Sequence, residues 1–148
     1  MTTIAAGVML AAATLVSEDG ATLAAGALVA AKRLPAAWAI GSVALGIWTG
    51  DLGLFAIGRL ARRASIVARW VDRRWSAEEV RAMEGRLNRS APTAILGSRF
   101  LPGTRVVLYV AAGLLHVRAS TFAVSAAVAS IAWTMMIVIS VGSLGVFW

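Results

Sequence analysis

The sequence predicts an all-α integral membrane protein. It should hold two opposed re-entrant helical hairpins and two spanning helices in an inverted repeat, with an interfacial amphipathic helical segment between the halves. Three observations predict this. Residues are 59% hydrophobic and only 14% charged, with a mean hydropathy of +0.81, whereas a soluble domain carries about 25% charged residues. Apolar blocks too short to cross a bilayer alternate with blocks that are long enough, the threshold being roughly 20 residues. Nine of the fourteen basic residues fall between Arg59 and Arg89, which is the pattern of a cytoplasmic loop under the positive-inside bias.

Composition also excludes several classes. The 148 residues (1–148) fit one domain of four to six membrane segments. A net charge of +7 and a pI of 11.7 could suggest nucleic acid, but the charges sit between apolar blocks, so no nucleic-acid partner is expected. Without cysteine there is no disulfide, thiolate metal site or cysteine nucleophile. A single histidine and seven acids argue against a metal site, and no cofactor is expected. There is no Ser/His/Asp arrangement, and Ser98 has no base near it in sequence, so an enzyme is not expected. No Lys or Arg precedes Lys32, so the first apolar run lacks the basic flank of a signal peptide and reads as mature protein.

The first hairpin is expected over about 4–33. Ile4 to Val16 is a helical apolar run broken by Ser17-Glu18-Asp19-Gly20, and Ala21 to Ala31 is a second run ending at Lys32-Arg33-Leu34-Pro35. Each arm reaches only about 20 Å at 1.5 Å per residue, short of the roughly 30 Å hydrocarbon core. Two short transmembrane helices with a solvated loop are the competing reading. Ala36 to Gly58 then spans (36–58), with Pro35 suited to its first turn. Gly46-Ile47-Trp48-Thr49-Gly50 is a small-xxx-small pair that permits close helix approach. Asp51 follows it, and a lone carboxylate in an uncharged span is either functional or an ion-pair partner.

The polar middle covers about 59–90. Ile66, Val67, Trp70, Val71 and Trp75 recur at helical spacing among Arg62, Arg63, Arg69, Arg73 and Arg74. That predicts an interfacial helix with aromatics at headgroup level and arginines towards anionic lipid. Ser76-Ala77-Glu78-Glu79 is a capping box opening a short helix with Val80, Met83 and Leu87 on one face. Pro92 is expected to open the second hairpin, about 91–117. His116 near its end reads as an interfacial residue rather than a proton relay. The last span covers about 119–148, with Trp133 inside it and Phe147-Trp148 as an interfacial belt.

The second hairpin carries the most informative run, Ser98-Arg99-Phe100-Leu101-Pro102-Gly103-Thr104-Arg105. It brings two permanent cations to membrane depth, at about 2.5–3.5 kcal/mol each on the lenient insertion scale. Arginine binds phosphate through a bidentate fork. Thr104 and Arg105 fall at the start of a half-helix, where free N–H groups favour an anion, and Gly103 permits close backbone approach. The acids Glu18, Asp19 and Asp51 face these two bases, and one of them could take up a proton. An internal echo supports the repeat. Ala24-Ala25-Gly26 matches Ala111-Ala112-Gly113, and Trp48-Thr49 matches Trp133-Thr134. One span separates the hairpins, so the second enters from the opposite side, as in transporters built from inverted repeats.

These pieces resemble the DedA family of bacterial membrane proteins, also called the SNARE-associated or VTT domain. The resemblance rests on Ser17-Glu18-Asp19 before Ala25-Gly26, Gly50-Asp51 before Ile57-Gly58-Arg59, the Arg99 to Arg105 run before Ala112-Gly113, and Trp133, from about residue 10 to 145. It implies a multi-pass protein of the bacterial plasma (inner) membrane. It further implies translocation of lipids, notably undecaprenyl phosphate and phospholipids, with dependence on the proton gradient. Carried over by position, the functional set is Glu18 or Asp19, Asp51, Arg99 and Arg105. The expected partners are therefore membrane lipids and a lipid-phosphate substrate. Family members usually continue into a further C-terminal helix that is not seen here, which makes a second copy of the chain another candidate partner. A structural or assembly role in envelope homeostasis and uptake of a small oxyanion are the alternatives.

Overall fold

In the computed structural model, which describes residues 3–14, 17–101 and 104–144, helices run in the order α1 (Thr3–Ala13), α2 (Glu18–Ala30), α3 (Ala36–Arg63), α4 (Ser65–Arg74), α5 (Ala77–Ser98), α6 (Thr104–Leu114) and α7 (Ala119–Leu144). No strand occurs among the described residues. Val16, Pro102 and Gly103 of the Ser98 to Arg105 run, and the predicted belt at Phe147 and Trp148 lie outside them.

Among the described residues, only α3 and α7 are long and apolar enough to cross a membrane. At 1.5 Å per residue each is about 40 Å long. Both expose large apolar side chains, among them Ile57, Leu60, Val124 and Ile139. A core helix of a soluble domain would hide these; lipid accepts them. α1 and α6 are apolar but too short to span.

The helices group into two compact units, Met1–Gly50 with Ala127–Trp148, and Asp51–Ala126. In the first, α1 packs on α2. Ser17 caps α2 by accepting the Gly20 N–H at 3.1 Å, and Glu18 and Asp19 occupy its first turn, where the helix dipole favours acids. Leu10, Val43, Ile47 and Val138 belong to the buried core of this unit. The Trp38 indole N–H donates to the Thr3 carbonyl at 2.9 Å. Gly46 lies against Ala11 of α1 and Thr14 just after it, and Gly26 of α2 lies against Val141 of α7.

In the second unit, α5 packs on α6, and α6 meets α3 backbone to backbone. A Cβ on Gly58 would fall on the Val110 carbonyl, and one on Gly113 on the Phe55 carbonyl. Phe55 stacks on Phe122 at 4.4 Å, and Tyr109 meets Phe122 edge-on at 5.1 Å. Asn88 accepts the Arg118 N–H at 3.0 Å, tying α5 to the start of α7. α4 is held to the end of α3 by Arg62, which donates to the Ala68 carbonyl at 3.2 Å and pairs with Asp72 at 3.1 Å. It leaves Ile66 and Trp70 exposed.

Some boundaries differ from expectation: α2 starts at Glu18, inside the expected break before Ala21, because Ser17 caps it. α3 continues past 58 to Arg63, because arginine is a good helix former and Arg62 and Arg63 complement the negative end of the dipole. Pro35 stands just before α3, offering its carbonyl to Trp38 and Ala39. Pro92 does not open a helix. It lies inside α5, so the helix capped by Ser76 and the helix expected to start at Pro92 are one element of 22 residues. Proline removes a single backbone bond there. Ala91, Ile95 and Ser98 are buried along the helix around it, and this packing keeps the helix whole.

The arms α2 and α6 end alike. After α2, the N–H groups of Ala31, Lys32 and Arg33 bond back to Ala27, Val29 and Leu28; after α6, those of Leu115, His116 and Val117 bond back to Ala111, Gly113 and Ala112. Both are Schellman-type caps, and the residue at the left-handed position is Lys32 in one and His116 in the other, each with φ 54.

Candidate functional site

Asp51, Phe55 and Gly58 follow each other at helical spacing, which places Asp51 on the face of α3 that meets α6. The residue is 1% exposed. A carboxylate in such a place is stable only with partners, and two arginines provide them. Arg99 closes the C-terminus of α5, where a cation complements the carbonyl end of the helix. Its Nη2 donates to Asp51 Oδ2 at 2.8 Å, and its side chain is 2% exposed. Arg105, in the first turn of α6, places Nη1 3.6 Å from Asp51 Oδ1 and is 24% exposed. That distance makes an ion pair rather than a hydrogen bond. Each carboxylate oxygen thus faces a different guanidinium, and the triad carries a formal charge of +1.

The other predicted residues are placed as follows. Thr104 opens α6, and its hydroxyl donates to the Leu101 carbonyl at 2.8 Å and reaches that of Ser98 at 3.3 Å. The hydroxyl therefore closes the corner between α5 and α6. Gly103 lies outside the described residues. Glu18 and Asp19 belong to the other unit, at the start of α2; Asp19 is exposed and Glu18 half-buried. The Glu18 carbonyl accepts the Thr22 hydroxyl at 2.6 Å. Among the described residues no group of three His, Cys, Asp or Glu side chains could hold a metal ion.

The family model of the VTT domain matches residues 2–143, nearly the whole chain. The protein belongs to the VTT-domain, or DedA, family. Neither a curated protein nor a solved structure matches it. A VTT domain of this kind is a membrane protein, and the exposed apolar faces of α3 and α7 fit that.

Within this VTT domain, sequence reasoning missed Tyr109. It is fully buried and lies one turn beyond Arg105 on the same stripe of α6 as Ala112 and Gly113. The charges of Asp51, Arg99 and Arg105 all act on its hydroxyl. The available signal was its place four residues after Arg105, the spacing of one helix face, in a chain with a single tyrosine.

Proposed function

We propose that this VTT domain translocates a phosphate-headed lipid, undecaprenyl phosphate or a phospholipid, across the bacterial plasma (inner) membrane, and that transport is coupled to protons. One observation carries the reading: two guanidiniums converge on one buried carboxylate, and one of them, Arg105, stands in the first turn of a helix. A phosphate group suits that pair, because arginine forks bind its oxygens in pairs and the helix end adds positive potential.

The pairs α1–α2 and α5–α6 are read as re-entrant hairpins in an inverted arrangement, since α1 and α6 are too short to cross. The lipid phosphate competes with Asp51 for Arg99 and Arg105. Proton uptake by Asp51 removes its charge and frees the arginines for the anion. Proton loss restores the pair and expels the anion. Glu18 and Asp19 are the further proton acceptors, and Thr104, with Gly103 before it in the sequence, is assigned to substrate binding.

A second reading is favoured by the 2.8 Å contact itself, which is what a purely structural brace would also show. Liposomes separate the two. The protein, reconstituted with a fluorescent polyprenyl phosphate or phospholipid, should move the lipid between leaflets faster under a proton gradient. Arg105→Ala should abolish the movement, and Asp51→Asn or Glu18→Gln should leave it indifferent to the gradient. No movement above that of empty liposomes leaves only the brace. Loss of lipid movement on adding inorganic phosphate would instead point to a small oxyanion as the substrate.

A further inference from the structure

The triad does not exhaust the polar atoms at this site. The Tyr109 hydroxyl is buried, with no hydrogen-bond partner of good geometry. Ser98 stands beside it; its own proton goes to the Ile95 carbonyl at 2.7 Å, so its lone pairs face the phenol as an acceptor, in a contact that falls short of hydrogen-bond geometry. A buried hydroxyl held so poorly is unfavourable, and natural chains rarely keep one without use. The ring is not what needs the oxygen: its edge-on contact with Phe122 would be made equally well by phenylalanine. Tyr109 follows Arg105 by one turn on the same face of α6, and the charges of Asp51, Arg99 and Arg105 reach its hydroxyl.

We propose that the Tyr109 hydroxyl donates a hydrogen bond to the phosphate group bound by Arg99 and Arg105, completing a three-residue site for a phosphate oxyanion. The proposal rests on the phosphate-lipid reading above and adds a neutral donor to it. A phenol supplies a proton without adding positive charge, so it strengthens anion binding without further opposing the Asp51 pair. Its hydrogen bond to an ionised oxygen is short and charge-assisted.

The test compares wild type with Tyr109→Phe in detergent micelles. The probes are a polyprenyl monophosphate, the matching polyprenyl alcohol and inorganic phosphate, with affinity and Tm as readouts. The expected result is a loss of polyprenyl monophosphate affinity of about tenfold or more in Tyr109→Phe, the usual scale for a bond to a charged group. Alcohol binding stays unchanged, and the Tm without ligand is equal or higher, because the variant buries one unsatisfied hydroxyl fewer. An equal loss for inorganic phosphate assigns the contact to the headgroup alone, and a loss confined to the lipid assigns it to the lipid phosphate. Both support the proposal. Unchanged phosphate affinity overturns it, and a lower Tm with that unchanged affinity makes Tyr109 a fold residue bonded to Ser98. If wild type binds neither phosphate probe, the translocation reading fails first.

Discussion

Arg99 donates to Asp51 from a side chain that is 2% exposed, while Arg105 faces the same carboxylate from 3.6 Å with 24% exposure. The two arginines are therefore unequal. Arg99→Ala strands a buried carboxylate and should destabilise the protein by about 3–5 kcal/mol. Arg105→Ala should cost about 1 kcal/mol or less, as for a partly solvated pair. Denaturant unfolding in detergent measures both, and equal costs would refute the ranking.

The contact of α3 with α6 makes a second prediction. Gly58→Ala or Gly113→Ala places a methyl against a main-chain carbonyl, and backbone cannot rotate away as a side chain can. Each should cost at least the 1–3 kcal/mol typical of overpacking. Gly85→Ala on α5, where a Cβ meets nothing within 4 Å, should stabilise by about 0.5–1 kcal/mol through helix propensity. Thermal melts of the three variants decide it.

Lys32 and His116 hold the left-handed position of their helix caps at φ 54, which glycine occupies without strain. Lys32→Gly and His116→Gly should each raise stability by about 1 kcal/mol. Alanine at either site should not, and a melt comparing the substitutions tests whether the backbone is the cause.

At the start of α5, Ser76 and Glu79 cap each other: the Ser76 N–H donates to Glu79 Oε2 at 2.7 Å and the Glu79 N–H to Ser76 Oγ at 3.2 Å. The backbone bond from Ser76 holds the Glu79 carboxyl below its ordinary range. A lowered carboxylate pKa stabilises above the unfolded value and loses that contribution as pH falls through the folded value. Amide exchange in the first turn of α5 should therefore quicken as pH is lowered through the acidic range, beyond its intrinsic pH dependence. Glu79→Gln should remove that extra response, and Ser76→Ala should cost about 1 kcal/mol at neutral pH.

Much of this was legible in the sequence because membrane depth makes charges conspicuous. Asp51, Arg99 and Arg105 stood out in apolar runs, and a buried charge must find an opposite one. Ser76 announced the helix start it caps; Ser17 did not, because it read as part of the break before Ala21. Pro92 misled, since local propensity said stop while the packing of Ala91, Ile95 and Ser98 kept the helix whole. Tyr109 stayed hidden because an aromatic in an apolar helix reads as core, and only the placement of its hydroxyl separates it from Phe122. The caps at Lys32 and His116 carry no glycine, so nothing in the residue type marked the left-handed turn.

Each long helix is divided between the two units, α3 after Gly50 and α7 after Ala126. A cut in the polar middle would yield an N-terminal fragment with α1 to α3 and a C-terminal fragment with α5 to α7. The first would lack the stretch of α7 that covers Gly26, and the second the stretch of α3 that covers Gly113. Neither fragment holds the parts of a finished unit, so the two halves of the gene are obligate complements, and only their co-expression should restore a folded protein.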